Sequence, residues 1–529
     1  MTYIKRVKVV WKILLAHISS AFLGSSGVTQ TVKFYAADVI SKSSYLQTKS
    51  TNTVVLLAFV LILTTPVWAQ NSITTAANSV YVSADADNDG DGSRDRPFLS
   101  LSQAEAASAV GDTIFLIRSK RAKIINGGIA LKPQQRLVGI DADGQVLRDA
   151  GNRVVVSNTT DRLDGVMVLL SEYNEVAGIH FMNMRNYAIS TNSTDFSGTY
   201  IHHSTFSGNA SQHIEDERGL VYAVSLDASE GDIDNVRIED SQFYEGEDLG
   251  AIRVFHSGDS QGRYYFRGND FSDLGGRAYF VRSMHSSKIE TVIVDSSADN
   301  IGRGDRNSDS IIPYLMGQSE QVMLIQNYYF NNTKQVGNGS NTGIEAYLFG
   351  SPRDDTKNWC TGCKLTLKIV DSIIENAVTD PIQFSNAGTN SQLTYEIRNT
   401  QIIGGNPRQG GGGISLNLQG VADSNSRTTL LVENTDIIGT TGYGLSINNR
   451  GGGDNGYTAV IDFGGGSLGS LGGNRFIDNA KGAIRTSQPR ISARNNWWNK
   501  AEPDLYRSDN EPLQDSKVDF LPVLSSDPR

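Results

Sequence analysis

One short pattern recurs through most of this chain: alternating apolar residues, then Asn or Asp, a small polar residue, any residue, and an apolar one. It reads Tyr200-Ile-His-His-Ser-Thr-Phe206, Val236-Arg-Ile-Glu-Asp-Ser-Gln-Phe243, Tyr264-Tyr-Phe-Arg-Gly-Asn-Asp-Phe271 and Leu393-Thr-Tyr-Glu-Ile-Arg-Asn-Thr-Gln-Ile402, with further copies ending at Ala298, Ile374, Ile437, Phe476 and Trp497. From Phe206 to Phe243, Phe271 and Ala298 the steps are 37, 28 and 27 residues, and from Ile374 to Ile402 and Ile437 they are 28 and 35. Period-two alternation marks each copy as a strand with one buried face. The Asn or Asp that follows suits a left-handed backbone position, which these side chains tolerate.

Steps of 27 or 28 residues leave too little room for the four strands of a propeller blade, and leucine-rich spacing is absent. The expected fold class is therefore all-β: a single-stranded right-handed parallel β-helix, roughly ten stacked coils about 4.8 Å apart. Each coil would bury its apolar face against two neighbours. Gly is abundant (53) and Pro sparse (12), as a fold with many turns requires.

The ends read differently. Residues 70–99 form an N-terminal strand and an acidic loop, and 100–500 carry the β-helix. Ser100 to Ala109 is the one helix signal, with Ser102 and Glu105 spaced as a capping box, and it would cover the open first coil. Residues 501–529 lack alternation and read as a C-terminal tail or cap.

Val54 to Leu63 is an unbroken apolar run of ten residues, followed by Val67-Trp68-Ala69, a small-residue cleavage pattern. Residues 46–69 are expected to be a signal peptide cleaved after Ala69. The run is too short to span a bilayer, which takes about 20 residues, so no stable membrane insertion is expected after cleavage. Residues 1–45 are either a mis-called start, with translation beginning near Leu46, or a long basic leader. Export implies a secreted, periplasmic or cell-surface protein. Residues 1–69 hold seven Lys/Arg and one Asp, so the formal charge moves from −10 to −16 on cleavage. That acidity argues against nucleic acid as a partner. The only cysteines, Cys360 and Cys363, fit a local disulfide in an exported protein.

Val80-Tyr-Val-Ser, the Asp-rich stretch Asp85 to Gly92, Arg96-Pro-Phe-Leu-Ser-Leu-Ser-Gln-Ala104 and Gly111-Asp-Thr-Ile-Phe-Leu116 resemble the opening of bacterial exported β-helix proteins of the pectate-lyase-like superfamily. Gly464 to Phe476 and Asn495-Asn-Trp-Trp498 resemble the last coils of that group. The resemblance implies the fold and an extracellular polysaccharide as partner. It leaves the reaction open, because the superfamily includes lyases, hydrolases, epimerases, tailspikes and adhesins. There is no match to the lyase calcium-and-arginine motifs or to the paired-Asp signature of pectin hydrolases.

A second strand aligns coil by coil through Ala223–Asp227, Ile252–His256, Tyr279–His285, Ile344–Tyr347, Ile382–Phe384, Ile414–Asn417 and Leu445–Asn448. Its middle coils place Arg253, His256, Arg282, His285 and Glu345 within a few coils of one another. A uronate lyase would use Arg253 or Arg282 to neutralise the sugar carboxylate and His256 or His285 as the base. A hydrolase would draw its two carboxylates from Asp227, Asp259 and Glu345. Tyr314 and Tyr347 are candidates to stack on sugar rings. Asp85, Asp87, Asp89 and Asp91 offer closely spaced carboxylates that would suit a structural Ca²⁺. No organic cofactor motif is present. Two readings follow: a polysaccharide lyase, hydrolase or epimerase, or a non-catalytic adhesin or matrix protein that binds glycans.

Overall fold

The structure is a computed structural model that describes residues 78–191, 195–208, 221–302, 309–332, 341–348, 359–407, 410–419, 425–450, 459–487, 490–507, 512 and 518–529. The expected leader and signal peptide lie outside the described residues.

Among the described residues the strands form three sheets of 15, 13 and 12 strands, and every pairing within them is parallel. Successive strands in each sheet come from successive coils, so the chain winds as a parallel β-helix whose crossovers take the right-handed sense favoured by twisted strands. It has more coils than the roughly ten expected, because early strands such as Glu175–Ala177 are three residues long and show little alternation.

The apolar residues that carry the sequence repeat stack on one another. In the 12-stranded sheet the register runs Phe181, Phe206, Phe243, Phe271, Ala298, Phe330, Ile374, Ile402, Ile437 and Phe476, all buried. The rings of Phe206 and Phe243 stack at 4.6 Å and those of Phe243 and Phe271 at 5.0 Å. Each such side chain contributes about 1.5–3 kcal/mol by leaving water, so the ladder as a whole holds the coils together.

The corners are as regular as the core. Between the 15- and 12-stranded sheets the chain turns within two residues, and Asp240, Asp295, Asn327, Asp371, Asn399 and Asn434 all take positive φ there. Their side chains form a second ladder: Asn327 donates to Asp295 at 2.7 Å, Asn399 to Asp371 at 3.0 Å and Asn434 to Asn399 at 2.8 Å. Asn and Asp thus serve twice, tolerating the left-handed backbone and linking coils.

Two boundaries differ from expectation. Helix α1 (Leu101–Ala107) is capped by Ser100 with Gln103, not by Ser102 with Glu105. Starting at Leu101 turns Leu101 and Ala104 into the core, and Glu105 is then free to accept from Ala130 N at 2.8 Å and to pair with Arg162 at 2.6 Å. At the other end the coils continue past residue 500: Leu505–Arg507 pairs with Ile484–Thr486, and Val518–Asp519 with Ile491–Ser492. Strands of two or three residues are too short for alternation to reveal them.

Candidate functional site

Strands Val221–Ala228, Leu249–His256, Tyr279–Ser283, Ile311–Leu315 and Ile344–Leu348 lie side by side in the 13-stranded sheet. Alternation sends Val224, Leu226, Ile252 and Val254 into the core and the residues between them outward. Two outward columns result. One runs Asp227, Phe255, Arg282, Tyr314, Tyr347; the other begins Ser225, Arg253, Phe280, Ile312.

An ion pair joins the first two of these coils. Arg253 donates to Asp227 Oδ2 and to Ser225 Oγ, both at 3.0 Å, and Ser225 donates to Asp227 Oδ1 at 3.2 Å. Burial pushes the Asp227 carboxyl above the usual aspartate range, although Arg253 and Ser225 pull against it. Aromatic rings continue the face. The Phe255 ring lies between two guanidinium groups, with Arg253 at 5.2 Å and Arg282 at 5.3 Å, and Arg282 also lies 5.5 Å from the Tyr314 ring. Tyr222, Phe280, Ile312, Tyr314 and Met316 form a separate apolar cluster on this outer surface.

Some expected residues do not join this face. His256 faces inward and is fully buried, with Nδ1 2.8 Å from Ser260 Oγ and Nε2 2.6 Å from Tyr264 OH. It stands three residues from Arg253, and an odd spacing in a strand means opposite faces. Burial lowers its pKa to about 4, so it is neutral near pH 7 but shut away from any substrate on the sheet. His285 lies beyond its strand, in an exposed turn at positive φ, where its Nδ1 accepts from Gly258 N at 3.2 Å. Asp259 is likewise in an exposed turn. Glu345 is buried and accepts from Gln383 Nε2 at 2.6 Å. It lies four coils from Asp227, roughly 19 Å at the spacing of paired strands, well beyond the 5–9.5 Å that glycoside hydrolysis needs.

Tyr314 is buried and stacked at 5.1 Å on Tyr347, which leaves Tyr347 the more exposed ring of the two. Phe255, Phe280 and Ser225 were missed in the sequence. They stand two residues from Arg253, Arg282 and Asp227 respectively, and that even spacing was the available signal.

The acidic loop closes on basic groups. Asp85 Oδ2 accepts from Lys120 N at 3.0 Å and Oδ1 lies 3.5 Å from Lys123, while Asp89 and Asp91 lie 3.1 and 3.4 Å from Arg96. Asp87 is exposed. Among the described residues no three His, Cys, Asp or Glu side chains converge as metal ligands, so this arrangement does not fit a calcium ion, which takes six to eight oxygens. Cys360 and Cys363 are joined in a disulfide.

The outward face of the 15-stranded sheet is charged in another manner. Glu239 is buried beneath Arg237 (2.8 Å), Arg267 (3.1 Å) and Tyr200 OH (3.3 Å), and Glu175 is held by Arg136 (2.7 Å) and His202 (3.2 Å). Burial alone would raise the Glu175 pKa, but hydrogen bonds from His202 and Arg136 bring it down to about 2.

The strand pairing and three-sheet cross-section define the class: a right-handed parallel β-helix. No family model and no curated protein sequence matches the chain. Among solved structures, similarity is found to XylC in complex with xylose, at 8% identity over 78% of this chain and 77% of that one, with a TM-score of 0.36. A lacto-N-biosidase of Eubacterium ramulus is similar at 9% identity over 72% and 67%, TM-score 0.33. The A-module of the Azotobacter vinelandii mannuronan C-5 epimerase AlgE4 is similar at 12% over 68% and 93%, TM-score 0.30. The assignment of fold rests on the strand pairing described above, and among the described residues no helix is long and apolar enough to cross a membrane.

Proposed function

We propose that the protein acts on an acidic extracellular polysaccharide along the outward face of the 13-stranded sheet, by removing the proton next to a sugar carboxylate. The observation that supports this most directly is the Asp227 and Arg253 pair, followed in the same columns by Phe255, Arg282, Tyr314 and Tyr347. In this reading Arg253 and Arg282 hold the sugar carboxylate and offset the charge that develops as the proton leaves. Asp227, with its raised pKa, accepts that proton more readily than an ordinary carboxylate. The electron pair of the broken C–H bond then forms a C=C bond as the glycosidic C–O bond breaks, or it recaptures a proton from the other side. Elimination and epimerisation therefore share one first step. The extracellular setting rests on the apolar run Val54–Leu63 and the Val67-Trp68-Ala69 cleavage pattern.

A non-catalytic glycan-binding role is the second reading, favoured by one observation: Arg253 and Ser225 already occupy both oxygens of Asp227. The test is to incubate the purified chain with acidic and neutral polysaccharides and follow ultraviolet absorbance of unsaturated uronate, exchange of the α-proton with deuterated water, reducing ends and binding. Absorbance or exchange that disappears in Asp227→Asn supports the proposal. Reducing ends without unsaturation would overturn it in favour of hydrolysis, and binding without any product would leave the adhesin reading.

A further inference from the structure

A second group of polar residues stands on the outer side of the 12-stranded sheet, away from the face just described. Arg153, next to strand Val154–Ser157, is buried at 6% exposure. Its Nη2 donates to the Arg148 carbonyl at 3.0 Å and its Nη1 to Thr205 Oγ1, while among the described residues its Nε has no hydrogen-bond partner. Among the described residues no carboxylate lies within ion-pair distance of it. Two other buried charges have opposite charges beside them: Glu239 has Arg237 and Arg267, and Asp436 has Arg475 and Arg529. A buried guanidinium with no carboxylate in contact is costly to keep.

The neighbours of Arg153 suit an anion. His180 occupies the coil between Arg153 and Thr205, in register with Val155 and Thr205. Its Nε2 lies 2.7 Å from Ser207 Oγ, and Tyr244, in register with Ser207, stands 6.1 Å from the His180 ring. Ser207, His180 and Tyr244 bring hydroxyl and ring N–H groups that can donate. Burial, with the positive charge of Arg153 behind it, lowers the His180 pKa, and burial brings that of Arg153 down to about 10. For Arg153, burial outweighs the pull of Tyr244 and Asp149 in the other direction.

We infer that Arg153, with His180, Ser207 and Tyr244, forms an oxyanion site that takes the carboxylate or sulfate group of an acidic saccharide. It would be a second point of attachment for an acidic chain on a protein whose overall charge is negative. The bound anion would supply the missing counter-charge and accept from the Arg153 fork.

This site stands independently of the catalytic proposal, and its test is separate. Thermal unfolding and titration calorimetry of the full chain are run with sodium galacturonate, with glucose 6-sulfate and with glucose. The expected result is a rise in Tm and measurable binding with one or both anions but not with glucose; which anion acts identifies the source of the oxyanion. Arg153→Met should weaken that binding by about tenfold or more while leaving Tm without ligand unchanged or higher, since an apolar replacement removes an unpaired buried charge. His180→Gln, a milder change, should weaken anion binding without changing the response to glucose. Equal behaviour of anions and glucose with the native chain would overturn the inference. So would unaltered anion binding in Arg153→Met; a lower Tm in that variant with no anion effect in the native chain would show instead that Arg153 only clamps the Arg148 loop to Thr205. Loss of product in Asp227→Asn has no bearing on this result, so the two proposals fail separately.

Discussion

The outward faces of the 13- and 15-stranded sheets belong to the same coils and carry the same kinds of residue, yet they are organised in opposite ways. On the 15-stranded face buried Glu239 is shared between Arg237 and Arg267, and half-buried Glu175 between Arg136 and His202. On the 13-stranded face one carboxylate meets one guanidinium, and the next charge along, Arg282, lies among rings. The pKa values move accordingly, down to about 2 for Glu175 and upward for Asp227. Neutralised ladders stabilise a solenoid; a carboxylate of raised pKa among aromatic side chains is the feature on which the proposed function rests.

The sharpest way to break this contrast is to neutralise one carboxylate on each face. Asp227→Asn is expected to lower product formation about 100-fold or more with Tm unchanged or raised, because its burial already disfavours the charged form. Glu239→Gln is expected to do the reverse: product formation within about twofold of native, but a loss of about 2 kcal/mol in urea unfolding, since two guanidinium groups lose their shared anion. If Glu239→Gln abolished activity while Asp227→Asn did not, the assignment of roles to the two faces would be wrong.

Acid sharpens the comparison further. His256, behind the 13-stranded face, has a folded pKa of about 4 against about 6.5 unfolded. The unfolded chain therefore binds the proton first, and stability that is complete above pH 6.5 falls by up to about 3 kcal/mol as pH drops to 4. His256→Gln should flatten that segment of the stability profile. Glu175 acts in a lower window. Its depressed pKa contributes stability present above about pH 4.5 and lost as pH falls toward 2, about 1–2 kcal/mol after discounting for the exposed Arg136, and Glu175→Gln should remove that lower step alone. The smallest effect expected is that of salt: 1 M NaCl should cost the native chain less than about 1 kcal/mol through the 15-stranded face, and the Glu239→Gln variant less than the native chain.

The reach of the sequence differs residue by residue. The stack of Phe206, Phe243, Phe271 and Ala298 was legible because period-two alternation and a recurring Asn or Asp mark the same point in every coil. Arg253 and Arg282 were legible as outward residues for the same reason, and the structure brings both beside Phe255. His256 was misassigned although the parity of its spacing from Arg253 already placed it inside, and His285 because the strand ends at Ser283, two residues earlier than its alternation suggested. The capping of α1 shifted by two residues because Leu101 and Ala104 both had to reach the core.

By itself, then, the sequence determined the kind of object this protein is, since alternation, small turn residues and left-handed corner positions are local properties repeated along the chain. Only the tertiary structure decided which charged groups meet. Arg253 reaches Asp227 and Ser225 in the preceding coil, Arg153 reaches Thr205 two coils on, and Glu345 falls four coils from Asp227, because coil lengths of 21 to 44 residues set these registers. Contacts between coils depend on how each loop returns the chain to the sheet, and no local pattern records that distance.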